Sequence, residues 1–162
     1  MRLDIALVAD AATVDASGKL NVLGAFHRLR GRDFPLRHGR MALVLRFAPE
    51  ASDSGTLEVE IRLMGPDDES VLRLDGKVEG RADANVDHIR IPQVLNLDGV
   101  VFPEPGTYRF VVEVGGKEVG VVPLRVEKAR RPPGGPGSRE GGPGGGPTPI
   151  MVPPGSEGGV KA

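Results

Sequence analysis

The chain predicts an all-β fold: an antiparallel β-sandwich, immunoglobulin-like or related, of about eight strands, with a disordered C-terminal tail. Three observations carry this. Apolar residues before position 127 recur with period 2 and nowhere show a sustained 3.6 period, the pattern of half-buried strands. Turn formers separate these runs at short intervals, as in sandwiches. The stretch Val101-Phe102-Pro103-Glu104-Pro105-Gly106-Thr107-Tyr108-Arg109-Phe110 reads as a turn feeding a strand, with the only tyrosine of the chain at its corner.

Taken in order, Leu3, Ile5, Leu7 and Ala9 are expected on one face of a first strand. Ser17-Gly18 turns the chain into a second strand over residues 20–29. Met41, Leu43, Leu45 and Phe47 form the inner face of a third. Leu57, Val59, Ile61 and Leu63 point inward from the next, with Thr56, Glu58, Glu60 and Arg62 outward. Gly65-Pro66-Asp67-Asp68 has turn chemistry. Beyond it Leu72, Leu74 and Val78 point inward, with Arg73, Asp75, Lys77 and Glu79 outward. Ile89 and Ile91 mark another strand, which Pro92 should end or bulge. The last two strands cover 107–114 and 118–126.

The penultimate strand has three structural residues, Gly106, Tyr108 and Phe110. Pro103 and Pro105 forbid regular structure before the turn, and Gly106 can take the positive φ of a tight entry. Tyr108 fits a tyrosine corner, its hydroxyl bonded back to nearby backbone. A two-residue turn at Gly115-Gly116 sets Glu113 against Glu118, an unfavourable like-charge pair. It also sends Leu124 to the face opposite Tyr108 and Phe110. A three-residue loop, Gly115-Gly116-Lys117, with a bulge at the loop puts Val122, Leu124 and Val126 on the face of Tyr108, Phe110 and Val112. That register is the expected one. Pro123 then points outward with Arg125, at an edge or a break in pairing.

Residues 128–162 contain 11 Gly and 8 Pro. Such a stretch buries too little apolar surface to offset the entropy of ordering it, so disorder is expected there and the folding unit is 1–127. That unit has 16 basic and 20 acidic residues, a net charge of −4, and the tail is +3. An acidic domain argues against nucleic-acid binding, which relies on neutralising phosphates. No cysteine is present, which removes disulfides, thiolate metal sites and thiol nucleophiles. Asp4 and Asp10 interrupt the apolar N-terminal stretch, so no signal-peptide core is expected, and no segment is long enough to span a membrane. The default location is the cytoplasm.

Little in the chain points to catalysis. His27, His38 and His88 have no local metal-pair spacing. Asp67-Asp68-Glu69 lacks a calcium-loop pattern, and Asp4 and Asp10 are expected to flank the outer side of the first strand. No serine has a nucleophile-elbow context, and no glycine loop opens a helix to cradle phosphate. No catalytic, metal or cofactor residue is assigned; an undetected hydrolase or metal-dependent enzyme is the least favoured reading. With no Trp and one Tyr, carbohydrate platforms rank low. One charge feature stands out. Residues 27–40 hold Arg28, Arg30, Arg32, Arg37 and Arg40 against a single Asp33, a candidate site for an anion, a nucleotide or an acidic partner. The bland alternative is a solvated connection that pairs with the surplus acid. The favoured function is a non-enzymatic binding or assembly module. Its sheet edges and loops would meet a protein partner or a second copy; the apolar tail segment Pro149-Ile150-Met151-Val152-Pro153-Pro154 is the candidate recognition segment of the tail, with inert linker the favoured reading there.

Three stretches together carry a resemblance: Leu3-Asp4-Ile5-Ala6-Leu7-Val8-Ala9-Asp10-Ala11-Ala12, Gly18-Lys19-Leu20-Asn21-Val22-Leu23-Gly24, and Leu97-Asp98-Gly99-Val100-Val101-Phe102-Pro103-Glu104-Pro105-Gly106-Thr107-Tyr108. Over about residues 1–126 the chain resembles a bacterial domain-of-unknown-function family of small proteins that open with this hairpin and close with this Pro-Gly-Tyr strand pair. The resemblance implies a compact, mostly β protein and supplies no catalytic residues.

Overall fold

Period-2 patterning resolves into two facing sheets in the computed structural model, which describes residues 1–80 and 89–129. In chain order the strands are β1 (Arg2–Val14), β2 (Leu20–Phe26), β3 (Arg28–Gly31), β4 (Leu36–Arg37), β5 (Arg40–Ala48), β6 (Gly55–Met64), β7 (Ser70–Gly80), β8 (Ile91–Asp98), β9 (Val101–Phe102), β10 (Gly106–Val114) and β11 (Lys117–Lys128). One sheet has the order β2-β1-β5-β8 and the other β3-β11-β10-β6-β7, with β4-β9 as a small separate pair. Neighbours are antiparallel except β3 and β11, which run parallel. The expected tail disorder and the segment Pro149 to Pro154 lie outside the described residues, as does His88. Among the described residues no helix is long and apolar enough to cross a membrane.

The core lies between the two sheets. Met41, Leu43, Leu45 and Phe47 of β5 are buried, as are Val59, Ile61 and Leu63 of β6. Tyr108, Phe110 and Val112 of β10, with Val122, Leu124 and Val126 of β11, complete the opposing wall. The alternation expected for β6, β7 and β10 is the alternation observed, because one face of each strand meets the other sheet and one meets water; β5 turns the expected residues inward, but Ala42 and Val44 on its other face are buried as well.

β1 departs from its pattern. A bulge between Leu3 and Ile5 shifts its register against β5. Leu3, Ala6 and Val8 therefore belong to the main core, whereas Ile5, Leu7 and Ala9 join Ala42, Val44 and Val94 in a second cluster on the outer face. Leu3, Ile5, Leu7 and Ala9 do not share a face, because one extra residue exchanges the two sides of a strand. Asp4, the bulged residue, turns toward Arg46, and the Asp10 side chain lies against Gly24 of β2.

The expected strand over 20–29 breaks at His27. β2 stays beside β1, and β3 crosses to the other sheet. Pro92 neither ends nor bulges β8; it sits within that strand opposite Arg46. β8 is an edge, so the missing N–H interrupts no ladder on its open side. Ile89 lies outside the strand.

The final hairpin reaches the expected facing by another route. Its turn has two residues, Gly115 and Gly116, with φ of 57° and 77°, values open to glycine at little cost. Glu113 does oppose Glu118, and the bulge falls at Val119 rather than in the loop. Beyond it Phe110 pairs with Val122 and Tyr108 with Leu124. Arg62 pairs with Glu113, which relieves the like-charge contact.

Gly106 is not among the residues of positive φ. What requires glycine there is close approach: a Cβ would lie 2.8 Å from Pro66 Cβ and nearer still to its Cγ. Two residues on, Tyr108 is fully buried, and its hydroxyl donates to the Glu104 carbonyl at 2.9 Å. Its ring meets Phe102 edge-on, with centroids 4.9 Å apart.

Candidate functional site

The parallel pairing of β3 with β11 assembles the main cationic surface. Arg28 lies opposite Arg125, Leu29 opposite Val126, and Arg30 opposite Glu127. Leu29 and Val126 face the core, so Arg28, Arg30, Arg125 and Glu127 all point outward. The ladder is extended at both ends by Arg125 N–H to His27 C=O (2.9 Å) and Ala129 N–H to Gly31 C=O (2.7 Å). Gly31 is buried against Leu36, whose Cδ1 would lie 2.7 Å from any Cβ there.

Three arginines thus converge on one carboxylate. Arg125 Nε is 2.8 Å from Glu127 Oε1, Arg28 Nε is 3.7 Å from the same oxygen, and Arg30 Nε is 3.6 Å from Oε2. The Glu127 side chain is 28% exposed, against 44% for Arg28 and 64% each for Arg30 and Arg125. The cluster carries a surplus of two positive charges. Exposed pairs of this kind contribute only about 0–1 kcal/mol each, so the guanidinium groups can turn to another anion at small cost. Arg30, Pro105, Gly106, Thr107 and the segment from Arg125 to Ala129 line an open groove beside the cluster.

The other three arginines of the basic stretch lie elsewhere. Arg37, on β4, lays its guanidinium over Gly99. Arg40 Nε bonds Asp98 Oδ1 at 2.8 Å on the other sheet. Arg32 is exposed in the connection after β3. The stretch is therefore not one surface: the structure gathers Arg28 and Arg30, adds Arg125 and Glu127, and leaves Arg32, Arg37 and Arg40 out. Outward alternation along β11 was the available signal for Arg125 and Glu127; their parallel partner was not.

A second polar centre is structural. Arg46 grips Asp4 with Nε to Oδ1 at 2.8 Å and Nη2 to Oδ2 at 3.1 Å, and Arg90 Nε reaches Oδ2 at 2.7 Å. The hydrogen bond from Arg46 is the chief reason that the Asp4 carboxyl is held below the usual carboxylate range. A depressed folded-state pKa contributes stability at every pH above the ordinary aspartate value of about 3.9, lost as pH falls through the folded value. Asp4→Asn is expected to cost on the order of 1 kcal/mol at neutral pH. In urea unfolding at a series of pH values, its difference from wild type should shrink below about pH 4.

Of the histidines, His27 is exposed at the β2–β3 junction, and His38 is half-buried with its ring 6.0 Å from Phe26. His38 Nε2 is buried without a hydrogen-bond partner, for which the surrounding packing offers no physical account. Among the described residues there is no group of three or more His, Asp or Glu side chains that could hold a metal ion.

No curated protein matches the chain. Among solved structures, an immunoglobulin-like protein from Pseudomonas aeruginosa is 15% identical, with 77% of this chain and 94% of that chain covered and a TM-score of 0.34. The model of a family of unknown function, DUF6941, matches residues 4–127. That match takes in strands of both sheets and stops one residue before the end of β11: the chain belongs to the DUF6941 family of unknown function.

Proposed function

We propose that the chain is a non-enzymatic binding module of the bacterial cytoplasm that recognises an acidic protein segment at the β3–β11 edge. One observation carries this reading: Arg28, Arg30 and Arg125 converge on the single carboxylate of Glu127 and remain largely exposed. Planar guanidinium groups suit carboxylates, and Glu127 already occupies the place that an incoming acidic side chain would take. The patch is small within a domain of net charge −4, which favours a short acidic segment over a long polyanion such as nucleic acid.

Isothermal titration of the full chain with an octaglutamate peptide tests this. Binding is expected at low ionic strength and should weaken as salt screens it. Arg28→Glu with Arg30→Glu should lower affinity at least about tenfold, and Glu127→Gln should raise it by removing the internal competitor. No binding by wild type at low salt, or unchanged affinity in the double variant, would overturn the reading. Stronger binding of a nucleoside triphosphate or duplex DNA would reassign the edge to phosphate.

A further inference from the structure

β7 and β8 are edge strands of different sheets, and they border one side of the sandwich without pairing to each other. Each departs once from the apolar pattern of its inner face. On β7, Leu74, Gly76 and Val78 lie opposite Ile61, Val59 and Leu57 of β6, so all three positions face the core. On β8, Gln93 and Leu95 lie opposite Leu45 and Leu43 of β5. The inner row of β8 therefore reads Ile91, Gln93, Leu95, Leu97, one amide among aliphatic side chains.

Glycine within a strand marks a bulge, a bend or a site where something approaches closely. Gly76 has no register shift beside it and no positive φ. No neighbour demands glycine there either. A Cβ would meet nothing within 4 Å, whereas one at Gly31 or Gly106 would collide. The missing side chain leaves a slot of about 80 Å³ between the two edges. Leu45 and Phe47 of β5, Val59 and Ile61 of β6, and Leu74 and Val78 of β7 form its apolar walls. Gln93 stands at its exposed mouth, with no side-chain hydrogen bond to any described residue. Asp75 and Lys77 flank Gly76 with opposite charges, and Arg73 holds Asp75 at 3.1 Å.

We propose that this slot binds a small neutral molecule with a short aliphatic tail and a carboxamide head. The volume sets the tail. At about 30 Å³ for a group of water's size, the slot takes roughly three carbons, and it is smaller than the dry cavity of about 150 Å³ that admits benzene. The walls require that tail to be apolar, since none of them can bond a polar group. Gln93 sets the head: its amide both donates and accepts, and a carboxamide returns both bonds. A charged head would lose hydration at a mouth where the charges of Asp75 and Lys77 cancel. The arginine cluster lies at the opposite edge of its sheet, and this inference is independent of what binds there.

Methyl-resolved NMR titration of the full chain with isobutyramide tests this. Saturable shifts are expected at Leu74, Val78 and Leu95, and none at Val121, which is exposed on β11. The dissociation constant should be on the order of 1 mM, the scale that so small a ligand can reach. Gly76→Val fills the slot and should weaken binding at least about tenfold, while the unfolding temperature holds or rises. Gly76→Ala, with one methyl, should weaken it by less. Gln93→Leu should weaken it at least about threefold, the loss of the head's partner, with far-ultraviolet dichroism unchanged. Isobutyrate and benzamide should bind at least about tenfold more weakly than isobutyramide. No shifts, shifts scattered over the surface, unchanged affinity in Gly76→Val, or loss of folding in that variant would overturn the inference. Tighter binding of isobutyrate or benzamide would overturn it as well.

Discussion

Tyr108→Ala is expected to lower the unfolding free energy by about 3–5 kcal/mol, the cost of emptying a large aromatic site in a close-packed core. The ring is fully buried, meets Phe102 edge-on, and lies opposite Leu124 across the β10–β11 ladder. Tyr108→Phe separates packing from the hydroxyl. It keeps the ring and loses the hydroxyl's two bonds to the Glu104 backbone, donated to the carbonyl at 2.9 Å and accepted from the N–H at 3.3 Å, so about 1–2 kcal/mol is expected. Urea unfolding followed by circular dichroism reads both variants. Equal losses would mean that the hydroxyl, not the ring, holds the corner. No loss in Tyr108→Phe would mean that the Glu104 backbone groups are satisfied without it.

Gly106→Val should cost about 1–3 kcal/mol through overpacking, at a position where backbone conformation alone gives no reason for glycine. The obstacle is Pro66, and Pro66 is poorly placed to yield. Its turn is closed by Gly65 N–H to Glu69 C=O (2.8 Å) and Asp68 N–H to Gly65 C=O (3.2 Å). Asp68 is further tied to Arg109 of β10. Gly106→Ala should fall between wild type and valine, since its single methyl already meets the ring. Thermal unfolding resolves the series, because a domain of this size shifts by roughly 4 °C per kcal/mol. A tolerated valine would show that the 65–68 turn moves freely.

What the sequence made legible was the alternation of strands with one dry face. β6 read correctly because its outward positions are polar, and the inner face of β5 because its residues there are the larger ones, Met41, Leu43, Leu45 and Phe47. β1 did not, because Ile5, Leu7 and Ala9 on one side and Ala6 and Val8 on the other are all apolar. With both faces apolar, period 2 holds no information about which side is inner, and a bulge leaves no mark. The final hairpin shows the limit of arguing from charge alone. Glu113 against Glu118 looked prohibitive, yet Arg62 arrives from β6, a partner that hairpin logic does not see. The candidate site was half visible for the same reason. Arg28 and Arg30 alternate plainly, but they meet Arg125 and Glu127 only because the chain changes sheets at His27 and pairs parallel with a strand almost a hundred residues away.

The corner tyrosine has a practical consequence. The chain has one tyrosine and no tryptophan, so Tyr108 alone supplies its intrinsic fluorescence and nearly all of its near-ultraviolet absorbance. Any emission-detected unfolding curve is therefore a single-site measurement of the β10 corner. Its agreement or disagreement with a backbone-averaged probe tells whether that corner melts with the rest of the sandwich or before it.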